Sequence, residues 1–173
     1  MTSGIIKQHK KFERPLRLFE TERIAKENEF MEKYGLKNKR EIWKINFAVK
    51  KIRNQAKGLI TASSEEQEAF IGRLARKGLL KVNAKMDDVL GMTIDKFVER
   101  RLQTVVLRKG LARSAKEARQ MITHRKIMVG ERIVNVPSYF VNIEEERIIK
   151  LSPRKEKPKK EAIAISGGEN VTA

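Results

Sequence analysis

Apolar residues recur at near-helical spacing through the first two-thirds of the chain, and the period drops to two near residue 127. From Thr21, the positions Ile24, Met31 and Tyr34 mark one face of a helix, and Gly35 supplies its stop. Asn38 followed by Glu41 reads as the next helix start, with Ile42, Ile45, Val49, Ile52 and Ala56 on one stripe. "SSEEQEAF" opens a third helix, with Ser64 and Gln67 at capping-box spacing and acids in the first turn, where the helix dipole favours them. It ends at "RKGL", residues 76 to 79, and the same four letters return at 108 to 111. The flanks do not match, so this is helix punctuation rather than an internal repeat. Cations suit a helix C-terminus, and Gly fits the left-handed position after it.

Thr93 is placed to cap one long helix that carries Ile94, Phe97, Val98, Leu102, Val105 and Val106 and ends at Gly110. Ser114 with Glu117 makes a second capping box. Behind it, Ala115, Ala118, Met121 and Ile122 form a buried side, and Lys116, Arg119, Gln120 and Thr123 share the opposite face. Ile127, Val129, Ile133, Val134 and Val136 then read as β text around Gly130, closed by Pro137. "YFVNIEEERIIKL" extends the strand-like text to complete a small sheet, with Glu144, Glu145 and Glu146 as a solvated acidic turn. The expected class is α+β. A basic arm over 1–18 leads into a mainly helical domain over 19–95. A helix-turn-helix-hairpin module with a small curled antiparallel sheet covers 96–152, and a basic, mobile tail covers 153–173. The arm reads equally as an extended binding segment or as a loose terminus.

Charge changes the picture. The 173 residues hold 39 Lys and Arg against 22 Asp and Glu, a net +17 with pI near 10.2. Such an excess suits a polyanionic partner, nucleic acid or anionic membrane. No stretch approaches the roughly 20 apolar residues of a spanning helix, and "MTSGIIKQHKKFERP" has neither the apolar core nor the cleavage site of a secretory signal. The basic and apolar run "IWKINFAVKKIRNQAKGLI" would suit a lipid surface, but one helix does not account for cations along the whole chain. The expectation is a nucleic-acid partner and no membrane. With no cysteine, disulfides, thiol nucleophiles and thiolate zinc sites are excluded.

Catalytic chemistry is sparse. His9 and His124 have no neighbours that would make a metal cluster, and His124 at a helix end reads as a capping or RNA-contacting residue rather than a base. Asp87 and Asp88 are adjacent and face different ways on a helix, and no phosphate loop or nucleophile elbow occurs. No enzyme, cofactor or metal is expected. Between residues 100 and 126, by contrast, cations oppose the apolar stripes, small residues allow close approach, and Glu117 is the only neutralising acid in the stretch, already used in a cap. Arg grips phosphate with a planar fork, and helix N-terminal amides add to it. A DNA-reading helix-turn-helix would aim side chains at base edges. Mostly cationic outward positions followed at once by a hairpin fit phosphate-and-shape recognition of folded RNA better. The candidate contacts in the module are Arg100, Arg101, Arg108, Lys109, Arg113, Ser114, Lys116, Arg119, Gln120, His124, Arg125 and Lys126. Lys44, Lys50, Lys51 and Arg53 join them from the second helix, and Lys10, Lys11 and Arg14 from the arm.

"RRLQTVVLRKGLARSAKEARQMITHRKIMVGERIVNVPSY", residues 100–139, resembles the RNA-binding module named after small-subunit ribosomal protein four. Arg101-Leu102, Gly110-Leu111-Ala112, Ser114, Ala118-Arg119-Gln120, Ile122, His124, Val129 and Val136-Pro137-Ser138-Tyr139 carry the match. That module also occurs in pseudouridine synthases, tRNA synthetases and stress proteins. "KYGLKNKREIWK" (33–44), "RLARKGLL" and "DDVLGMTIDKFVERRLQT" narrow the resemblance to the archaeal form of the ribosomal family, over about residues 10–152. It implies a primary binder of small-subunit ribosomal RNA that nucleates assembly of the subunit body. It further implies a cytoplasmic location in that subunit, small-subunit protein five as a neighbour, an influence on decoding accuracy, and no obligate homo-oligomer. The runner-up is an RNA-modifying enzyme, or a tRNA- or stress-related factor, carrying the same module. Two features depart from relatives: Gly130-Glu131 replaces a common Asn-Gly turn, and the cysteine zinc site of some bacterial members is ruled out.

Overall fold

The longest apolar stripe in the sequence becomes the spine of the helical part, α2 (Lys39–Leu59). The computed structural model describes residues 11–81 and 84–152; His9, Lys10 and the tail from 153 onward lie outside the described residues. α1 (Thr21–Tyr34) packs on the first half of α2, where Ile42, Ile45 and Val49 are buried with Tyr34, Leu36 and Val98. Further along the same stripe, Ala56 meets Phe70 and Leu74 of α3 (Ser64–Arg76), with Leu79 and with Val89 of α4 (Met86–Leu90). Ser63, one residue before the expected cap, occupies the α3 N-cap. Residues 11 to 14 lie along α2: the Phe12 ring stacks on Trp43 at 6.5 Å, and Glu13 accepts from Lys50 Nζ at 2.7 Å.

The long helix expected from Thr93 to Gly110 is two helices, α5 (Ile94–Glu99) and α6 (Leu102–Arg108). The apolar period runs straight through the break, so local pattern does not reveal it. The cause is tertiary. The backbone at Arg100 and Arg101 bonds to the returning segment: Val141 N–H donates to Arg100 O at 2.9 Å and Leu102 N–H to Tyr139 O at 2.8 Å. Arg101 and Phe140 thereby form an isolated antiparallel bridge. An extended Arg101, with ψ of 143°, is what makes that bridge, and it cannot sit inside a helix.

α7 (Ala115–Thr123) packs on α6, and three short strands cover the pair: β1 (Ile127–Val129), β2 (Arg132–Ile133) and β3 (Ile149–Leu151), in the order β2-β1-β3, all antiparallel. Leu102, Val106, Ala118, Ile122, Ile127, Val129, Val141 and Ile149 bury one face of this layer. Gly130 takes φ of 62° while Glu131 stays at negative φ, the sign pattern of a type II′ hairpin turn, which needs Gly first rather than Asn-Gly. Val134 and Val136 fall outside the strands. The acidic stretch is not a loop either: Ile143–Arg147 forms a short helix, α8, in which Glu145 accepts from the Asn142 backbone N–H.

One buried amide joins the helical part to the module. Gln103, 2 % exposed, shares its Nε2 hydrogens among Tyr34 O at 3.2 Å, Gly35 O at 3.0 Å and Ala115 O at 2.9 Å. The end of α1 therefore touches the start of α7. A Cβ on Gly35, which sits at φ of 61°, would lie 2.7 Å from the Ala115 Cβ, so the approach requires glycine. Gln103→Leu keeps the volume but strands these carbonyls, and it should lower unfolding free energy by about 2–4 kcal/mol. Urea denaturation checks this; a loss below about 1 kcal/mol would mean that the carbonyls find other donors.

Candidate nucleic-acid interface

The turn after α6 reverses the chain, and α7 starts with its first turn tied down. Ser114 Oγ accepts from Glu117 N–H at 3.2 Å, while Glu117 Oε2 accepts from Arg113 N–H at 2.7 Å. This is the expected capping box with its carboxylate reaching one residue further back. The apolar side of α7 buries Ala118 and Ile122, which turns Arg113, Lys116 and Gln120 to solvent.

The expectation that this surface lacks acidic partners fails. Glu41, from the first turn of α2, clamps two module arginines: Oε2 accepts from Arg101 Nη2 at 2.8 Å and Oε1 from Arg119 Nη2 at 2.7 Å. Arg119 Nη1 also donates to Gln103 Oε1 at 3.3 Å. Burial alone would raise the Glu41 pKa, but the Arg119 and Arg101 hydrogen bonds and charges outweigh it and hold the carboxyl below its ordinary value. Burial in turn pushes the Arg101 guanidinium down, against the pull of Glu41. Glu146 of α8 is a second clamp. It accepts from Arg100 Nη1 at 2.5 Å and from Arg108, and these partners hold its carboxyl below the ordinary value despite desolvation. Arg100 Nε further donates to Gly78 O at 3.1 Å.

The candidate cations thus fall into two sets. Arg100, Arg101, Arg108 and Arg119 are ion-paired; Arg53 donates to Met92 O at 2.5 Å, and Lys50 pairs with Glu13. Lys109, Arg113, Lys116, Arg125 and Lys126 are exposed on the module and make no ion pair among the described residues, as is also true of Lys44, Lys51, Lys11 and Arg14. Ser114 serves as the cap, and Gln120 and His124 are exposed beside the free cations. Lys10 lies outside the described residues. Arg125 sits at φ of 58°, the one non-glycine residue at positive φ among those described. A left-handed arginine costs of order 1 kcal/mol, and the conformation closes α7: Arg125 N–H donates to Ile122 O at 3.0 Å and Lys126 N–H to Met121 O at 2.9 Å, the place that Gly35 holds after α1.

Sequence reasoning passed over Glu41 and Glu146, which organise the paired set. Glu41 looked like a helix-start residue and Glu146 like part of a solvated loop; their partners lie 60 and 46 residues away along the chain for Arg101 and Arg100. Arg40, beside Glu41 and stacked over the Phe12 ring at 5.3 Å, was also passed over. No local pattern marks any of the three. What the arrangement can do is present several unpaired cations and a capped helix start to a row of phosphates, on a surface whose other arginines are locked.

A helix pair leading into a three-stranded sheet, with one cationic helix turned outward, is the architecture of an S4-domain protein, and the S4 domain model matches residues 100–148. The rest of the chain carries the comparison further. It is 42% identical over 151 residues to small ribosomal subunit protein uS4 of Methanothermobacter thermautotrophicus, covering 85% of this chain and 88% of that protein. It is 44% identical over 147 residues to the uS4 protein of Korarchaeum cryptofilum, covering 83% and 89%, and 42% identical over 153 residues to that of Nanoarchaeum equitans, covering 85% of each. The chain belongs to the small ribosomal subunit protein uS4 family, in its archaeal form, with the structural role of a ribosomal protein.

The clamps set a pH dependence. A carboxyl whose folded pKa is lowered contributes stability that is complete above its unfolded value, near 4.3 for Glu, and is lost as pH falls through the folded value. Stability should therefore hold at neutral pH and drop steeply below about pH 4.5. Glu41→Gln should flatten that drop while lowering stability at pH 7, as thermal unfolding across pH 3 to 7 would show. An unchanged acid profile would separate Glu41 from the transition.

Proposed function

We propose that this chain is a non-enzymatic constituent of the small ribosomal subunit that binds small-subunit ribosomal RNA early, nucleates assembly of the subunit body and contributes to translational accuracy. The proposal places it in the cytoplasm, in that subunit, beside other ribosomal proteins including small-subunit protein five. The observation that carries the RNA-binding part is the sorting of the cations. Those at the junction are paired with Glu41 and Glu146, while those on the outward side of α7 and its following turn are left without acids among the described residues. Burial alone accounts for the paired set; the RNA reading rests on Lys109, Arg113, Lys116, Arg125 and Lys126, five exposed cations gathered around α7. The printed names of the archaeal relatives supply the subunit. Nucleation, accuracy and the protein-five contact rest on family resemblance.

The first module residues to meet RNA are Arg113, Lys116, Arg125 and Lys126, with Ser114, Gln120 and His124 supplying uncharged contacts and Lys109 at the flank. Arg100, Arg101, Arg108 and Arg119 act chiefly by holding the surface in shape and adding to its field. Lys44, Lys50, Lys51, Arg53, Lys10, Lys11 and Arg14 extend the surface along α2 and the arm.

Binding to small-subunit ribosomal RNA should fall steeply with salt, each phosphate contact contributing about −0.7 to −0.9 to the log–log slope. Lys116→Ala should make that slope shallower by nearly one contact and leave the melting temperature unchanged. Filter binding at several salt concentrations measures the slopes and thermal denaturation the melting temperature; a slope near zero in the wild type ends the proposal.

Arg125→Gly should separate binding from folding in the opposite sense. Relief of the left-handed strain should stabilise the module by up to about 1 kcal/mol, while RNA affinity drops. Stability gained with affinity unchanged would remove Arg125 from the interface.

A further inference from the structure

Between α2 and the module lies a cleft of about 480 Å³, inside the range of roughly 300–1,000 Å³ typical of small-molecule pockets. Four cations, Arg40, Lys44, Arg101 and Arg119, line it against one carboxylate, Glu41. Arg101 is 5 % exposed, and its Nη1 has no hydrogen-bond partner, although its Nη2 is held by Glu41. That nitrogen is itself out of reach of solvent, so the charge that an entering group meets is carried by Arg40, Lys44 and Arg119. The same cleft has aromatic walls. Phe97 and Phe140 reach it, their rings 5.0 Å apart and tilted at 54°, with Pro137 and Ala48 nearby. An inorganic anion would use the charges and leave this apolar surface idle, and a duplex would not enter a space of this size. A single unstacked nucleotide uses both: its base has an apolar face for the aromatic wall, its edge can bond to Asn38 or Ser138, and its phosphate meets Arg40 and Lys44 at the exposed side.

We propose that the cleft between α2 and the S4 domain receives one extruded nucleotide of the bound RNA, with its base on the Phe97–Phe140 side and its phosphate on the Arg40–Lys44 side. This rests on the RNA-binding reading above and adds to it a single-nucleotide site. The cleft lies at the joint of the two parts of the chain, so an inserted nucleotide would bridge them. Binding there would then report on the packing of the joint as well as on surface charge.

Ala48→Phe fills the cleft without altering any charge. It should weaken binding to full-length small-subunit ribosomal RNA about ten- to a hundredfold, with the salt slope shallower by no more than about one contact, because a stacked base and at most the one phosphate at Arg40 and Lys44 are lost. In the wild-type complex one base should be protected from a base-modifying reagent, and that protection should vanish with Ala48→Phe. Wild-type affinity and identical protections in the variant would overturn the cleft site while leaving the RNA reading intact. Absence of salt-dependent RNA binding by the wild type would instead overturn the reading beneath it. A second measurement does not depend on the variant folding: NMR titration of the wild-type protein with adenosine and uridine 5′-monophosphates against ribose 5-phosphate. Saturable shifts of the Phe97 and Phe140 ring signals with the nucleotides alone support the site, and equal shifts with ribose 5-phosphate, or none with any of them, overturn it.

Discussion

A carboxylate shared by two arginines holds the two parts of this protein in register. Glu41 comes from the helical part, and Arg101 and Arg119 come from the module, so one side chain fixes α2 against both α6 and α7. Truncating Glu41 would do more than remove attraction. It would leave Arg101, buried at 5 % exposure, without its acidic partner, and uncompensated buried charge is far costlier than a lost surface pair. Gln103 sits beside the clamp, accepting from Arg119 while donating to the end of α1. The Gly35 approach to Ala115 is the steric side of the same joint. Polar chemistry of this kind specifies geometry as well as stability, because a shift of the module would break several directed bonds at once.

That joint is also why the paired arginines differ from the free cations. In a chain of net +17, unpaired charges repel one another, and the folded state must place them where water or an anionic partner can screen them. Pairing Arg100 and Arg108 with Glu146, and Arg101 and Arg119 with Glu41, neutralises cations where two elements meet. Among the described residues, exposed cations without an ion pair remain around α7 and the turn that follows, and also on α2 and in residues 11 to 14. The short helix α8 takes part in this sorting: besides Glu146, its Glu145 accepts from Tyr139 Oη at 2.7 Å, tying the return segment to the helix.

The sequence disclosed whatever depends on neighbours along the chain. The stripes of α1, α2, α3 and α7, the glycine stops of α1 and α3 and the Ser114 cap are all local, and each lies within a residue or so of where the pattern puts it. What escaped was set at long range. The Arg101–Phe140 bridge breaks a continuous helical period. Three consecutive glutamates look like a turn until Arg100, Arg108 and Tyr139 give two of them partners. The outward direction of α7 was legible from its buried alanine and isoleucine, but the pairing state of Arg119 was not. A residue on the polar face of one helix can still be inside the joint with another.

The same pairing bears on how the surface would meet an anion. Phosphates approaching α7 first encounter long, hydrated side chains that gain charge-assisted bonds and lose rotamer freedom. Arg101 and Arg119 have already lost that freedom to Glu41, so ordering them costs little when a partner arrives. They are placed where the helical part and the module meet, and any ligand that reaches them touches both. The free cations can therefore govern the salt dependence of an encounter, while the locked ones, which line the cleft with Phe97 and Phe140, would set the shape that fits. Swapping the two sets would leave composition unchanged and lose that division, since an exposed Glu41 pair would be screened to little value and a buried, unpaired Lys116 would be strongly unfavourable.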